Sequence, residues 1–244
     1  MLWIIGAFLV AFVLFFLWHS GCFSNVEVSI VEKPRFLGSP LTVYYRHVVG
    51  SYANAYLSLK EALSILPKGS TAFGIYYDDP SKVKSHLLQS AVGVVVAKDG
   101  NELVDASLQE QLSRHGLEKM VIPAVSRAVV ATLPTFSCIA AALPVFSPVA
   151  KLYGAVKTFV TEHRLETSLA VEVYEGDSLT VHFPLDHVDE FVVPEKVSVQ
   201  ELEARLARRK FDSDEESSES EASGDEDPEE EEGEKGAEGD AHVE

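Results

Sequence analysis

The chain has 244 residues, with 20 Lys and Arg against 38 Asp and Glu, a formal net charge of −18, and two cysteines. Nucleic-acid binding needs a basic patch, and the nearest thing to one is Arg205, Arg208, Arg209 and Lys210; two distant cysteines imply no disulfide framework. The acidity is local: Phe211 to Glu244 holds 17 acidic residues and only Lys235, leaving 19 basic and 21 acidic side chains in residues 1–210.

The first eighteen residues, MLWIIGAFLVAFVLFFLW, carry no charge and no proline. Such a run predicts a single-pass transmembrane anchor over residues 1–20; at ~1.5 Å per residue eighteen residues reach about 27 Å. Trp18 and His19 close it as interfacial residues do. A cleavable signal peptide is the competing reading, but it expects a basic n-region and a small-residue cut site. No Lys or Arg precedes the run, and Ser20 and Cys22 make a poor site. Lys33, Arg35 and Arg46 follow it, so the positive-inside bias places the C-terminal side in the cytosol. Asn25, Asn54 and Asn101 all fail the glycosylation pattern, which agrees. Cys22 is a juxtamembrane filler or a palmitoylation site; Cys138, in an apolar stretch, reads as a buried thiol.

Residues 26–197 read as one domain. Val26–Val31 and Leu41–Val49 alternate as strands around a Pro/Gly loop. Tyr52–Leu66 places Ala55, Leu59, Ala62, Leu63 and Leu66 at helical spacing, with Ser51 as its cap and Pro67 as its stop. Ala72–Tyr77 and Ala91–Ala97 are strands, and Ser107-x-x-Glu110 predicts a capping box for a helix that Gly116 ends. Val125–Leu133 is a strand, Pro148–His163 a helix opened by Ser147-Pro148, and Ser168–Tyr174 and Leu179–Phe183 are strands.

A strand–helix–strand–strand unit thus occurs twice, with Ala72–Asp79 aligning on Ala170–Asp177. That predicts an α+β, pseudo-twofold domain: antiparallel sheet, one helix per half on one face. Residues 198–210 form a short amphipathic helix opened by Ser198-x-x-Glu201, with Leu202 and Leu206 on one side and Arg205, Arg208, Arg209 and Lys210 at its end. It reads as a domain-closing helix, or as a contact for the anionic cytosolic leaflet or the acidic tail. Residues 211–244, with one aromatic and no Leu or Ile, cannot offset their chain entropy and are expected to be disordered.

His47-Val48-Val49-Gly50-Ser51-Tyr52, the Phe73-to-Pro80 block, Ser90-Ala91-Val92-Gly93 and Glu172-Val173-Tyr174 resemble the GyrI-like, SOUL-related effector-binding fold. Together with the anchor and the acidic Ser-rich tail, residues 1–195 are similar to the testis-expressed endoplasmic-reticulum autophagy receptor family. The resemblance implies a cytosol-facing, non-enzymatic reticulophagy receptor of the endoplasmic-reticulum membrane, reaching the nuclear envelope and autophagosome, whose tail binds autophagosomal ubiquitin-like proteins. Two alternatives stand beside it. One is a module that binds haem or a lipophilic cation at the membrane; the other is an adaptor for an AAA ATPase in protein–DNA adduct repair at the nuclear envelope.

In ligand-binding relatives a Glu in the matching Glu-x-Tyr segment meets cationic ligands. Carried over, Glu172 marks a groove walled by Tyr174, Tyr76 and Phe73; otherwise Glu172 lies on a solvated sheet face. In the tail, Phe211 with Asp212 and Asp214 is the docking candidate. Partner docking of this class adds an aromatic-x-x-aliphatic strand to a sheet edge, and the third position after Phe211 is Asp214. Tyr56, Phe136, Phe146 and Tyr153 do have the spacing, within helix or core segments. Ser213, Ser218 and Ser223 each precede an acidic residue by three positions and are expected phosphorylation sites; a solubilising acidic spacer is the competing reading. No hydrolase elbow, phosphate loop or His-Glu-x-x-His occurs. No cofactor and no direct nucleic-acid contact are expected. His182, Asp186, His187 and Asp189 fit no usual metal spacing and read as solvated residues at a strand end.

Overall fold

The computed structural model describes residues 2–19, 26–133, 148–176 and 178–209. The chain divides into two units, Met1–Val199 and Gln200–Glu244. In the first, α1 (Leu2–His19) forms over the apolar run. The predicted membrane span is not shown: among the described residues no helix is long and apolar enough to cross a membrane.

The domain proper is one sheet with every pairing antiparallel, in the order β1–β7–β9–β8–β3–β4–β2–β6, with β5 paired to β4. Its strands are β1 (Val28–Glu32), β2 (Leu41–Val49), β3 (Ala72–Tyr76), β4 (Gln89–Lys98), β5 (Asn101–Glu102), β6 (Glu118–Ile122), β7 (Arg127–Leu133), β8 (Ala170–Glu175) and β9 (Ser178–Pro184). Reading outward from the centre gives β3–β4–β2 on one side and β8–β9–β7 on the other. This is the duplication expected from sequence, folded about a pseudo-twofold axis between β3 and β8. β1 and β6 extend the two edges.

α2 (Tyr52–Ile65) and α4 (Pro148–Glu162) belong to the two halves. Ala55 and Leu59 from α2 share one core with Leu152 and Val156 from α4, over Tyr76, Val92 and Val181 of the sheet. Arg46 Nη1 pairs with Glu61 Oε2 at 2.8 Å, tying β2 to α2. α3 (Ala106–Arg114) closes a third cluster around Val94, Val96 and Leu112. Its N-cap is Asp105, not the expected Ser107; Gln109 Nε2 instead donates to Val104 O at 2.9 Å. Gly116, at φ +75°, takes the left-handed turn that ends the helix.

Among the described residues, no α-helix contributes to the core cluster of the opposite sheet face. Phe36 and Leu37 from the loop after β1, and Phe191 and Val193 after β9, cover Phe73, Ile75, Val171 and Val173 there. Gly93 is required where β4 meets β2: a Cβ there would lie 1.8 Å from the Tyr44 carbonyl oxygen, next to the register shift between Thr42 and Val43. In the second unit, the helix over residues 199–209 carries an Arg205–Glu201 ion pair of 2.6 Å.

Candidate functional site

The pleat decides which side chains meet. Glu172 and Tyr174 on β8 point to the helix-covered face, as do Gly74 and Tyr76 on β3, because side chains two apart share a face. In the β3–β8 register Gly74 lies opposite Glu172, with Ala72 opposite Tyr174 and Tyr76 opposite Ala170. The pseudo-twofold axis therefore runs between a glycine and a glutamate that occupy equivalent positions. A Cβ on Gly74 would lie 2.8 Å from the Tyr76 ring, so the glycine makes room for that ring over the strand.

Glu172 is 6% exposed. Tyr153, from α4, donates to its Oε1 at 2.6 Å, and Tyr174 donates to its Oε2. The Tyr76 and Tyr174 hydroxyls are 3.4 Å apart. Tyr52, at the start of α2, stands edge-on to Tyr76 with ring centres 4.7 Å apart. Its hydroxyl donates to Asp78 O at 2.6 Å and accepts from Asp78 N at 3.2 Å. Four tyrosines from two helices and two strands thus surround one carboxylate.

Burial pushes the Glu172 pKa up, and the hydroxyls of Tyr153, Tyr174 and Tyr76 pull it back in part. Burial, then the Glu172 charge, raises Tyr76, Tyr153 and Tyr174 well above the ordinary phenol value. Such phenols stay protonated and serve as donors to a carboxylate, or as aromatic walls for a cation, rather than as proton shuttles. Ser90, opposite Tyr76 on β4, adds a buried Oγ with no hydrogen-bond partner among the described residues.

Of the sequence-predicted groove, Glu172, Tyr174 and Tyr76 come together. Phe73 does not: it points to the opposite face and packs with Ile75, Val171 and Val173. It is adjacent to Gly74, so the pleat turns it away. The solvated-face alternative for Glu172 fails on its burial. Tyr153 and Tyr52 were not expected in the site. Tyr153 sits on the same apolar helix side as Val149 and Val156, and only its hydroxyl distinguishes it from core.

The histidine–aspartate group is also redistributed. His182, read as solvated, is 1% exposed on the other face, edge-on to Phe36, and burial lowers its pKa to about 4. Asp186 accepts from Ser126 N at 2.9 Å, and His187 pairs with Glu190 at 2.7 Å. Among the described residues no cluster of three or more His, Cys, Asp or Glu could hold a metal ion. Phe211, Asp212, Asp214, Ser213, Ser218 and Ser223 lie outside the described residues, as do Cys22, Cys138, Phe136 and Phe146.

The chain is similar to testis-expressed protein 264. It is 29% identical over 177 residues to the human protein and to its mouse homologue, which covers 72% of this chain and 54% of each relative. The chain thus spans about half the length of the curated relatives it matches. No protein-family model matches. Among solved structures, the crystal structure of the EcmrR C-terminal domain aligns with a TM-score of 0.39 at 14% identity, covering 67% of this chain and 98% of that one.

Proposed function

We propose that the protein is a non-enzymatic receptor or adaptor attached to the endoplasmic-reticulum membrane, its domain and C-terminal arm in the cytosol, the arm engaging autophagosomal ubiquitin-like proteins. The observation that carries this reading is the surface of α1. Trp3, Ile5, Phe8, Leu9, Phe12 and Phe15 are each 60–77% exposed on a helix without a charged side chain. An apolar surface of that kind is stable only when covered, and lipid is the cover that suits all its sides at once. The one-sided Lys33, Arg35 and Arg46 flank supports a cytosolic domain. Likeness to the testis-expressed proteins supports the receptor role by kinship. The test is protease protection of intact microsomes carrying a C-terminal tag, with alkaline carbonate extraction beside it. The tag is expected to be digested without detergent and the protein to stay in the carbonate pellet. A protected tag or release by carbonate overturns the reading.

The Glu172 cage favours a second reading, a module that binds a lipophilic cation. A carboxylate this buried, held by the hydroxyls of Tyr153 and Tyr174, is the arrangement that an aromatic-faced organic cation would satisfy. Tetraphenylphosphonium is expected to raise the melting temperature of the wild type and not of Glu172→Gln. Equal shifts in both, or none in either, remove this reading.

A further inference from the structure

The segment after β9 is held to the sheet in an unusual way. Residues 188–197 cross the face opposite the Glu172 cage and bury Phe191 and Val193, yet they join no strand. Side chains take the place of a neighbouring strand. The Tyr77 hydroxyl donates to Phe191 O at 3.0 Å and accepts from Val193 N at 3.3 Å. Gln89, fully buried, spends both ends of its amide on one residue: Nε2 donates to Val197 O at 2.9 Å and Oε1 accepts from Val197 N at 3.1 Å. Tyr45 adds a hydroxyl donated to Glu195 at 3.1 Å. The strap is fastened at three points, and the chain runs on from it at Ser198 into the C-terminal arm.

The same few residues also hold the cage. Tyr76 and Tyr77 are consecutive, so the pleat sends one ring to the cage and the other to the strap. Asp78 follows: its main chain clasps the Tyr52 hydroxyl, and its Oδ2 accepts from Gln89 N at 2.7 Å. Tyr77 N in turn donates to Gln89 O at 3.2 Å. A continuous set of contacts leads from Glu172 through Tyr174, Tyr76 and Tyr52 to Asp78, and from there to Gln89 and the strap.

We propose that the Glu172 cage and the strap are coupled through Tyr76, Tyr77, Asp78 and Gln89, so that the state of the cage sets how firmly residues 188–197 are fastened. The ligand-driven part of this rests on the second reading above; the coupling itself does not. A cation at Glu172 takes the carboxylate from the phenols and leaves Tyr174 and Tyr76 to reorient. Tyr52 then loses the ring it stands against, its hold on Asp78 slackens, and Gln89 is freed to release Val197. Because coupling is reciprocal, loosening the strap shifts ligand affinity by the same factor.

The experiment is residue-level amide hydrogen exchange on the full chain in lipid nanodiscs. In Glu172→Gln and in Tyr52→Phe, exchange at Val193 and Val197 is expected to accelerate by about fivefold or more, the lower range of coupling between sites, while Val129 and Val130 in β7, which pairs with β1 and β9 and not with the Glu172 strand, keep their rates. Gln89→Ala, which cuts the strap directly, sets the upper limit. Unchanged rates at Val193 and Val197 in both cage variants overturn the coupling, and so does an acceleration shared by all amides. Tetraphenylphosphonium is the probe for the ligand arm: saturable, Glu172-dependent binding with faster strap exchange supports the proposal, and binding that leaves the strap unchanged overturns it. Absence of binding removes the cation reading alone, because the two cage variants still decide the coupling.

Discussion

Tyr153→Phe is the most direct test of the cage. The substitution keeps the ring and deletes the hydroxyl that donates to Glu172 Oε1 at 2.6 Å, leaving a buried carboxylate oxygen without that donor. A hydrogen bond to a charged group contributes about 1.5–3 kcal/mol, which for a domain of this size converts to a fall of about 3–12 °C in melting temperature. The loss depends on pH in a defined sense. Glu172 has its folded pKa raised, so the folded state holds the proton more tightly than the unfolded one. Stability therefore falls as pH rises from the unfolded carboxyl value of about 4.3 through the raised value. The Tyr153 hydroxyl pulls that pKa down; its removal raises it further and deepens the fall. Melting curves at pH 4 and pH 8 should show a small gap between wild type and variant in acid and the full gap at pH 8. Equal gaps at both pH values, or none at pH 8, would refute a charged, tyrosine-held Glu172.

Gly74→Ala pushes a Cβ to 2.8 Å from the Tyr76 ring, and chemical denaturation should show a loss of about 1–3 kcal/mol. Gly154→Ala in α4 is its control: the added Cβ meets nothing within 4 Å, so the same measurement should show a gain of about 0.5–1 kcal/mol. Gly93→Ala meets the Tyr44 carbonyl oxygen at 1.8 Å, and soluble expression followed by circular dichroism should find no native fold. His182 has its pKa lowered to about 4 by burial, so the unfolded chain takes up the proton first and the fold loses about 3 kcal/mol between pH 6.5 and 4. In His182→Leu, urea titrations at those two pH values should lack that histidine-dependent loss.

Much of the sheet is legible in the sequence because its strands are bounded by turn residues and its helices by proline and glycine. β6 is not: Glu118 and Lys119 open it and Met120 is only part-buried, so an edge strand with a charged start reads as loop. Faces are harder to read than strands. All five residues of β3 are buried, so no apolar–polar alternation says which side chain belongs to which core, and Phe73 is thereby placed in the groove with Tyr76. β8 does alternate, with Val171 and Val173 interleaved with Glu172 and Tyr174. Alternation gives the face but not what covers it. That α4 covers it and delivers a hydroxyl is a tertiary fact, and Tyr153 in an apolar helical stripe carries no local sign of it. His182 is misread for the same reason, since Phe36 reaches it from a loop far away in sequence.

The duplication explains why the sheet centre holds one carboxylate where exact symmetry would place two. Equivalent residues face each other across the axis, and Tyr76 and Tyr174 meet there with hydroxyls 3.4 Å apart. Two glutamates at the equivalent centre would place like charges side by side in a low dielectric, with one of them forced to stay protonated. The chain has a glutamate in one half and Gly74 in the other. The glycine avoids the second charge and frees the volume that the Tyr76 ring fills. Asymmetry at that single pair therefore turns a symmetric sheet centre into a one-carboxylate cage. It also commits Tyr76, in the glycine half, to the strand end where Tyr77 and Asp78 meet the strap. A Gly74→Glu substitution would restore the symmetry of charge and take the ring's place at once, and on both counts it should cost more than Gly74→Ala when the two are unfolded side by side.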